Sequence, residues 1–95
     1  EELLPAARAL AKEMISDTAP VSRALTRQMM WSMLGAAHPM EAHKVDSRAI
    51  MCRGASKDAQ EGVSSFLEKR PAVFPNLVSS DLPDVWANWS QPEFE

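Results

Sequence analysis

Apolar residues recur at spacings of three and four in four successive stretches of the chain, and this pattern limits its fold more than any other feature. Such spacing places side chains on one face of a helix, whereas a half-buried strand alternates polar and apolar residues. No alternating stretch occurs. The stripes predict an all-α fold of three to four helices, at about residues 3–17, 20–34, 39–53 and 56–70. Their members are Leu3, Ala7, Leu10 and Met14; Val21, Leu25, Met29 and Met33; Ala42, Val45, Ala49 and Cys52; and Ala59, Val63, Phe66 and Leu67.

Proline and glycine residues mark the ends of these helices. Pro20 and Pro39 suit the first turn of a helix, and the residue before a proline avoids the α-helical region. Gly54 is a suitable stop for the third helix, and the hydroxyl of Ser56 can cap the fourth. Pro71 then ends the fourth helix. Residues 71–95 form a mixed tail, in which we expect a short helix at 83–89.

The length and composition indicate a single small domain, residues 1–95, with 45% hydrophobic and 24% charged residues. The net charge of -3 argues against a nucleic-acid partner. No apolar run reaches the roughly 18 residues that span a bilayer, so we expect no membrane partner. Cys52 is the single cysteine, which favours a reduced, cytoplasmic setting. Because a helix begins so close to Glu1, further residues before it are compatible with this sequence.

Few residues could support metal or nucleophile chemistry. His38, His43 and Cys52 do not make a closed zinc set, because a second cysteine is missing. His43 and Cys52 would lie on opposite sides of one helix, so they could not form a nucleophile and base pair. We therefore predict no metal site and interpret Cys52 as a core thiol.

A longer pattern runs from Ser56 to Phe74, in the order Ser-x-Asp-x-x-Glu-Gly-Val-x-x-Phe-Leu-Glu-Lys-Arg-x-x-x-Phe. It resembles the closing signature of the enoyl-CoA hydratase/isomerase (crotonase) family, where it forms the last long helix. Residues 6–27 are similar to the family segment in which one helix ends at Ala-Pro and another begins. Arg27 departs from the family, since many members have lysine there, and a guanidinium lacks the compact ammonium geometry. The resemblance implies the C-terminal helical region that forms the trimerisation and lid domain of crotonase-fold enzymes.

The same resemblance implies that this chain contains no catalytic residue. In complete family members, two backbone N–H groups hold the thioester oxyanion and, in hydratases, two glutamates handle water, all in an earlier α/β region. The three glycines of this chain are unpaired, so Glu41, Glu61 and Glu68 receive no catalytic role. No cofactor is expected. The parent enzyme would take an acyl-CoA substrate in fatty acid metabolism.

One binding role carries over by position. In family members, the Phe and Lys of the Phe-x-Glu-Lys run touch the adenine and phosphate end of the CoA held by a neighbouring subunit. Those residues are Phe66 and Lys69 in this chain. An aromatic edge suits a purine, and an ammonium suits a phosphate. The alternative is that Phe66 packs in the core and that Lys69 is a solvated charge.

Two functions remain open from the sequence. The chain is either the oligomerisation and active-site-capping segment of an enoyl-CoA hydratase/isomerase-type enzyme, inactive alone, or a free-standing helical interaction module derived from a crotonase tail. Residues 29–34 are apolar nearly all round the second helix. A small domain cannot enclose such a segment easily, so we expect self-association, which the resemblance implies is trimeric. In the alternative, residues 29–34 form the face that binds a partner.

Overall fold

A computed structural model describes residues 1–86 of the chain, and within them it contains helices and no strand. The predicted all-α fold is confirmed. The four long helices begin and end within two residues of their expected bounds, and a fifth helix is short. The helices are α1 (Leu3–Ile15), α2 (Pro20–Ser32), α3 (Pro39–Gly54), α4 (Lys57–Glu68) and α5 (Val78–Asp81).

Local chemistry explains where the long helices begin. Pro20 and Pro39 occupy the first turns of α2 and α3. The Nδ1 atom of His38 accepts the Met40 N–H at 3.0 Å, so His38 caps α3. Ser56 caps α4 as expected, because its Oγ accepts the Ala59 N–H at 3.3 Å. These caps satisfy amide groups that the first turn of a helix leaves unpaired.

The hydrophobic core lies between α2, α3 and the tail. It buries one stripe of α2 and the middle of the apolar stripe of α3, which we call the α3 seam. It also buries a tail valine whose carbonyl accepts the Arg48 Nε–H at 3.0 Å. The buried members are Val21, Leu25, Val45, Ala49 and Val85, and the partly buried residues packed against them are Met29, Met33, Leu82 and Trp86. The expected stripe of α2 therefore faces the core along its whole length.

The tail folds differently from the expectation. Residues 83–86 are not helical, so the expected short helix at 83–89 is not formed over its described part, and residues 87–89 lie outside the described residues. Helix α5 forms earlier in the tail, where no helix was expected. The Asp81 carboxylate accepts the Leu77 N–H at 2.8 Å and the Ser80 hydroxyl at 3.1 Å, which stabilises this turn. The Leu77 N–H is also the main cause of the lowered pKa of Asp81.

Helix α1 packs against none of the other helices in residues 1–86. All its residues are exposed, including Leu3, Leu10 and Met14 of its apolar stripe. The interpretation of this stripe as a buried face is therefore wrong for the single chain. The contact with α2 is polar, because the Ile15 carbonyl accepts a hydrogen bond from Arg23 Nη1 at 2.6 Å. Thr18 Oγ1, in the link between the helices, donates to the same carbonyl at 2.9 Å.

None of the helices in this part of the chain combines the length and the apolar character needed to cross a lipid bilayer.

Candidate functional site

Helix α4, which carries the Ser56 to Phe74 signature, turns its apolar residues outward. Val63, Phe66 and Leu67 are 62%, 81% and 72% exposed, and we call them the outer face of α4. The side that faces the rest of the protein instead carries Asp58 and Ser65, which are buried. Because residues 58 and 65 are seven apart, they lie two turns apart on the same side of the helix. The usual arrangement of an amphipathic helix, with the apolar side inward, is therefore reversed here.

Asp58 lies at the centre of a buried polar network. Its side chain forms an ion pair with Arg53 Nη2 and accepts the Asn76 N–H at 2.9 Å. Arg53 also donates from Nε to Ser22 Oγ at 3.2 Å. The network thus joins α2, α3, α4 and the segment after α4. Its position in the signature singles out Asp58, but the sequence does not reveal this role.

The segment after α4 runs back along the inward side of the helix, and we call residues 70–76 the return segment. Arg70 donates from Nη1 and Nη2 to the two carboxylate oxygens of Glu61, at 2.6 and 2.9 Å. Glu61 Oε1 also accepts the Val73 N–H at 2.8 Å. The Phe74 ring lies over Gly62, where an added Cβ would sit 3.8 Å from the ring. Glu61 therefore holds the return segment against α4, and the Phe74 ring lies beside Gly62.

The electrostatics of this contact favour the charged state of both groups. The hydrogen bonds from Arg70, followed by that from Val73 N–H, lower the pKa of Glu61 from 4.5 to about 2. Hydrogen bonds to Glu61 and then to Glu68 raise the pKa of Arg70. Arg70 Nε donates to Glu68 Oε2 at 2.6 Å. The guanidinium of Arg70 is thus engaged on all three of its nitrogen atoms.

Lys69 lies at the point where the chain reverses. Its backbone is left-handed, with φ of 53° and ψ of 44°, and it ends α4. The Lys69 N–H bonds to the Phe66 carbonyl at 3.3 Å and the Arg70 N–H bonds to the Ser65 carbonyl at 3.0 Å, a pairing typical of a Schellman motif. Lys69 and Phe66 are both exposed at the C-terminal end of α4. The alternative interpretation of Phe66 as a core residue is wrong, and its contact with CoA stays a prediction.

The remaining candidates lie elsewhere. Cys52 is exposed, so its interpretation as a core thiol is wrong, since the α3 seam leaves the core after Ala49. Cys52 lines an open cleft of about 450 Å³ together with Lys57, Asn76 and others. The His38 ring caps α3. Over residues 1–86, no three side chains of the metal-binding types cluster around a common point.

Comparison with known proteins shows what this chain is similar to. No protein-family profile matches the chain. The chain is 37% identical over 75 residues to enoyl-CoA hydratase AKT3-2, AFT3-1 and ACTT3 of Alternaria alternata, and the match covers 79% of this chain. The matched segment is homologous to enoyl-CoA hydratases. The predicted resemblance is thereby confirmed, and the match spans only 25% of the length of these hydratases.

Within this hydratase-related segment, the structure gives the signature residues two different roles. Ser56 caps α4, and Asp58 and Glu61 hold neighbouring segments to it. The outer face of α4 and Lys69 are exposed within residues 1–86, so packing inside this part of the chain does not explain their place in the signature. The site that the resemblance names is therefore a surface of one helix end, presented by a polar scaffold behind it.

Proposed function

We propose that this chain is the helical C-terminal region of an enoyl-CoA hydratase/isomerase-type enzyme, where it builds the oligomer and caps the active site. The observation that supports this most is the reversed helix α4. Its polar side is occupied inside the chain, and its outer face is apolar and exposed. An exposed apolar surface of this kind marks a contact with another protein surface. The chain alone is inactive under this proposal.

Two further apolar surfaces support a role in assembly. The stripe of α1 is uncovered, with Leu10 and Met14 exposed. At the end of α2, on the side away from the core, Met30 and Trp31 are exposed, and so is Leu34 just after the helix. Burying a large apolar side chain is worth about 1.5–3 kcal/mol, so a few of them offset the cost of association. We propose self-association, of the trimeric type found in the family.

The CoA contact of Phe66 and Lys69 is part of the same proposal. Phe66 offers an exposed aromatic ring, and the Lys69 ammonium forms no ion pair within residues 1–86. The two residues are three apart at one helix end, so a purine and a neighbouring phosphate could contact both. We propose that they bind the nucleotide end of an acyl-CoA held by a neighbouring subunit.

Two measurements test whether this chain is part of a larger hydratase and is inactive alone. The intact mass of the natural gene product should correspond to about 300 residues, since 75 residues make up 25% of the relatives. That product should hydrate a 2-enoyl-CoA, followed by loss of absorbance of the conjugated thioester, whereas the 95-residue chain should not. Turnover by the 95-residue chain that survives repurification would contradict the proposal.

A third measurement tests the CoA contact in that product. Lys69→Ala should raise the Michaelis constant for a CoA substrate a few-fold, because an exposed charge contact is worth about 0.5–1 kcal/mol. The constant for a pantetheine analogue without the nucleotide should not change. Added salt should reduce the difference. An equal effect on both substrates, or on neither, would mean that Lys69 is only a surface charge.

The second candidate function is a free-standing interaction module that binds a partner through α2. The exposed group Met30, Trp31 and Leu34 favours it, because Met29 and Met33 of the same stretch pack on the core and hold the helix in place. A natural product with a mass near 10.5 kDa would support this function over the first. Sedimentation equilibrium of wild type and Met30→Glu would then show whether the partner is a second copy of the chain.

A further inference from the structure

The turn that carries Lys69 is held from the side of α4 by Glu61 and Glu68, which both accept hydrogen bonds from Arg70. Glu61 lies two turns before the reversal, and both of its carboxylate oxygens are engaged by Arg70, directly after Lys69. Its Oε1 also holds the Val73 N–H in the return segment. Glu61 therefore fixes the chain on the far side of Lys69 while it is itself fixed in the helix.

Lys69 needs such support because its backbone is left-handed, at φ of 53°. Residues with a Cβ atom adopt this region at a cost, so it persists where surrounding contacts determine it. A left-handed residue also points its side chain away from the direction that a further helical residue would take. The direction of the Lys69 ammonium thus depends on the contacts that hold the turn.

The two neighbouring cations have different tasks. The Arg70 guanidinium donates to Glu61, Glu68 and the Pro71 carbonyl, so its donors are committed within the chain. The Lys69 ammonium has no ion pair within residues 1–86 and lies on the exposed helix end. Of the pair, Lys69 is the cation that can meet an anionic ligand.

We propose that Glu61 and Arg70 are positioning residues for Lys69, and that their ion pair directs its ammonium toward the nucleotide phosphates of a CoA thioester. This proposal rests on the CoA contact proposed above. It differs from that contact in assigning affinity for the nucleotide to two residues that do not touch the ligand.

The test is a double-mutant cycle in the natural gene product, read out as dissociation constants for a CoA thioester and for the matching pantetheine thioester. Glu61→Gln keeps the shape of the side chain and removes its charge. It should weaken binding of the CoA thioester about two- to five-fold and leave the pantetheine thioester unchanged, as for Lys69→Ala. The double variant should bind no more weakly than Lys69→Ala alone, because Glu61 acts through Lys69.

Two further variants complete the test. Arg70→Lys keeps a cation and loses the two-pronged contact with Glu61, so it should reproduce the selective loss. Glu41→Gln changes an exposed glutamate in the first turn of α3 and should bind both thioesters as wild type does. Melting temperatures measured in parallel identify any variant whose fold is disturbed.

The outcomes separate the two proposals. If Lys69→Ala is selective but Glu61→Gln and Arg70→Lys are silent, or if the effects of Glu61→Gln and Lys69→Ala add, the positioning role is overturned and the CoA contact stands. Equal weakening of both thioesters by Glu61→Gln would assign it a general structural role and also overturn the proposal. If Lys69→Ala changes neither constant, the CoA contact itself is overturned.

Discussion

Helices α2 and α3 bury apolar residues between them, whereas α1 and α4 turn theirs to the outside. The stripe of α2 supplies Val21 and Leu25 to the core, and α3 supplies Val45 and Ala49. Helices α1 and α4 bury no apolar residue. The first pair is held by apolar packing, α4 is held by ion pairs and hydrogen bonds, and α1 contacts α2 through the Ile15 carbonyl.

This difference shows that a strong apolar stripe predicts a covered surface but does not identify what covers it. Burial of a stripe lowers the free energy whether the covering surface belongs to the same chain or to another. In α4 the side toward the chain is already occupied by polar contacts of Asp58 and Glu61. The outer face of α4 therefore remains available to a surface outside residues 1–86.

The buried Asp58–Arg53 ion pair should give the largest effect on stability. Asp58→Ala leaves the Arg53 guanidinium and the Asn76 N–H without their acceptor, and breaking one partner of a buried pair costs about 3–5 kcal/mol. The free energy of unfolding in urea measures this cost. The matched control is Glu13→Ala on exposed α1, which should stay within about 0.5 kcal/mol of wild type. A similar, small cost for both variants would contradict the role given to the network.

The second prediction compares a buried leucine of α2 with an exposed leucine of α1. Leu25→Ala in the core should cost about 2–5 kcal/mol, because it removes buried methyl groups and leaves a cavity. Leu10→Ala in α1 should cost less than about 0.5 kcal/mol, because Leu10 is exposed. Urea unfolding at two protein concentrations makes the comparison. A cost for Leu10→Ala that grows with concentration would show that self-association buries α1.

A smaller effect on stability, of the opposite sign, is expected at Lys69, where the chain reverses. Lys69→Gly should stabilise the chain by about 0.5–1 kcal/mol, because glycine adopts the left-handed backbone without the clash of a Cβ atom. Lys44→Gly, within α3 and exposed, should instead destabilise it by about 1 kcal/mol. Chemical denaturation of both variants measures the signs. Destabilisation by Lys69→Gly would mean that the Lys69 side chain itself supports the turn.

The smallest expected effect is on the dependence of stability on pH. The pKa of Glu61 falls from 4.5 to about 2 in the folded chain, so its contribution to stability is fully present above pH 4.5 and is lost as the pH falls toward 2. The difference in melting temperature between wild type and Glu61→Gln should therefore be constant above pH 5 and shrink below pH 4.5. A difference that stays constant down to pH 2 would show that the Glu61 charge does not hold the return segment.

The sequence predicts the positions of the helices well, because spacing and proline residues act locally. It predicts the buried stripe of α2 for the same reason. It does not predict the α4 contacts, because Glu61 and Arg70 would lie on opposite sides of a helix that continued to residue 70, nine residues apart at 100° each. Only the left-handed turn at Lys69 brings them together.

The tail and Cys52 show a second limit of sequence reasoning. Val85 is buried by α2 and α3, which are more than thirty residues away, as the Arg48 contact with its carbonyl shows. Local spacing cannot reveal such a contact, and it suggested a helix at 83–89. Likewise, Cys52 continues the α3 seam by spacing, but the core ends one turn earlier at Ala49. For the candidate site, the resemblance named Phe66 and Lys69, and only the structure revealed the scaffold behind them.

The isolated position of α1 has a mechanical consequence. Its 13 residues make a rigid rod about 20 Å long, joined to α2 at one end. A tilt of roughly 10° at this joint would displace the far end of the helix by about 3.5 Å, nearly the width of a methyl group. The angle of the rod depends on the short link from Ser16 to Ala19, where Asp17 has a positive φ. It also depends on the hydrogen bond that Arg23 donates to the Ile15 carbonyl across this link. The orientation of any surface that covers the stripe of α1 therefore depends on the four residues of this link.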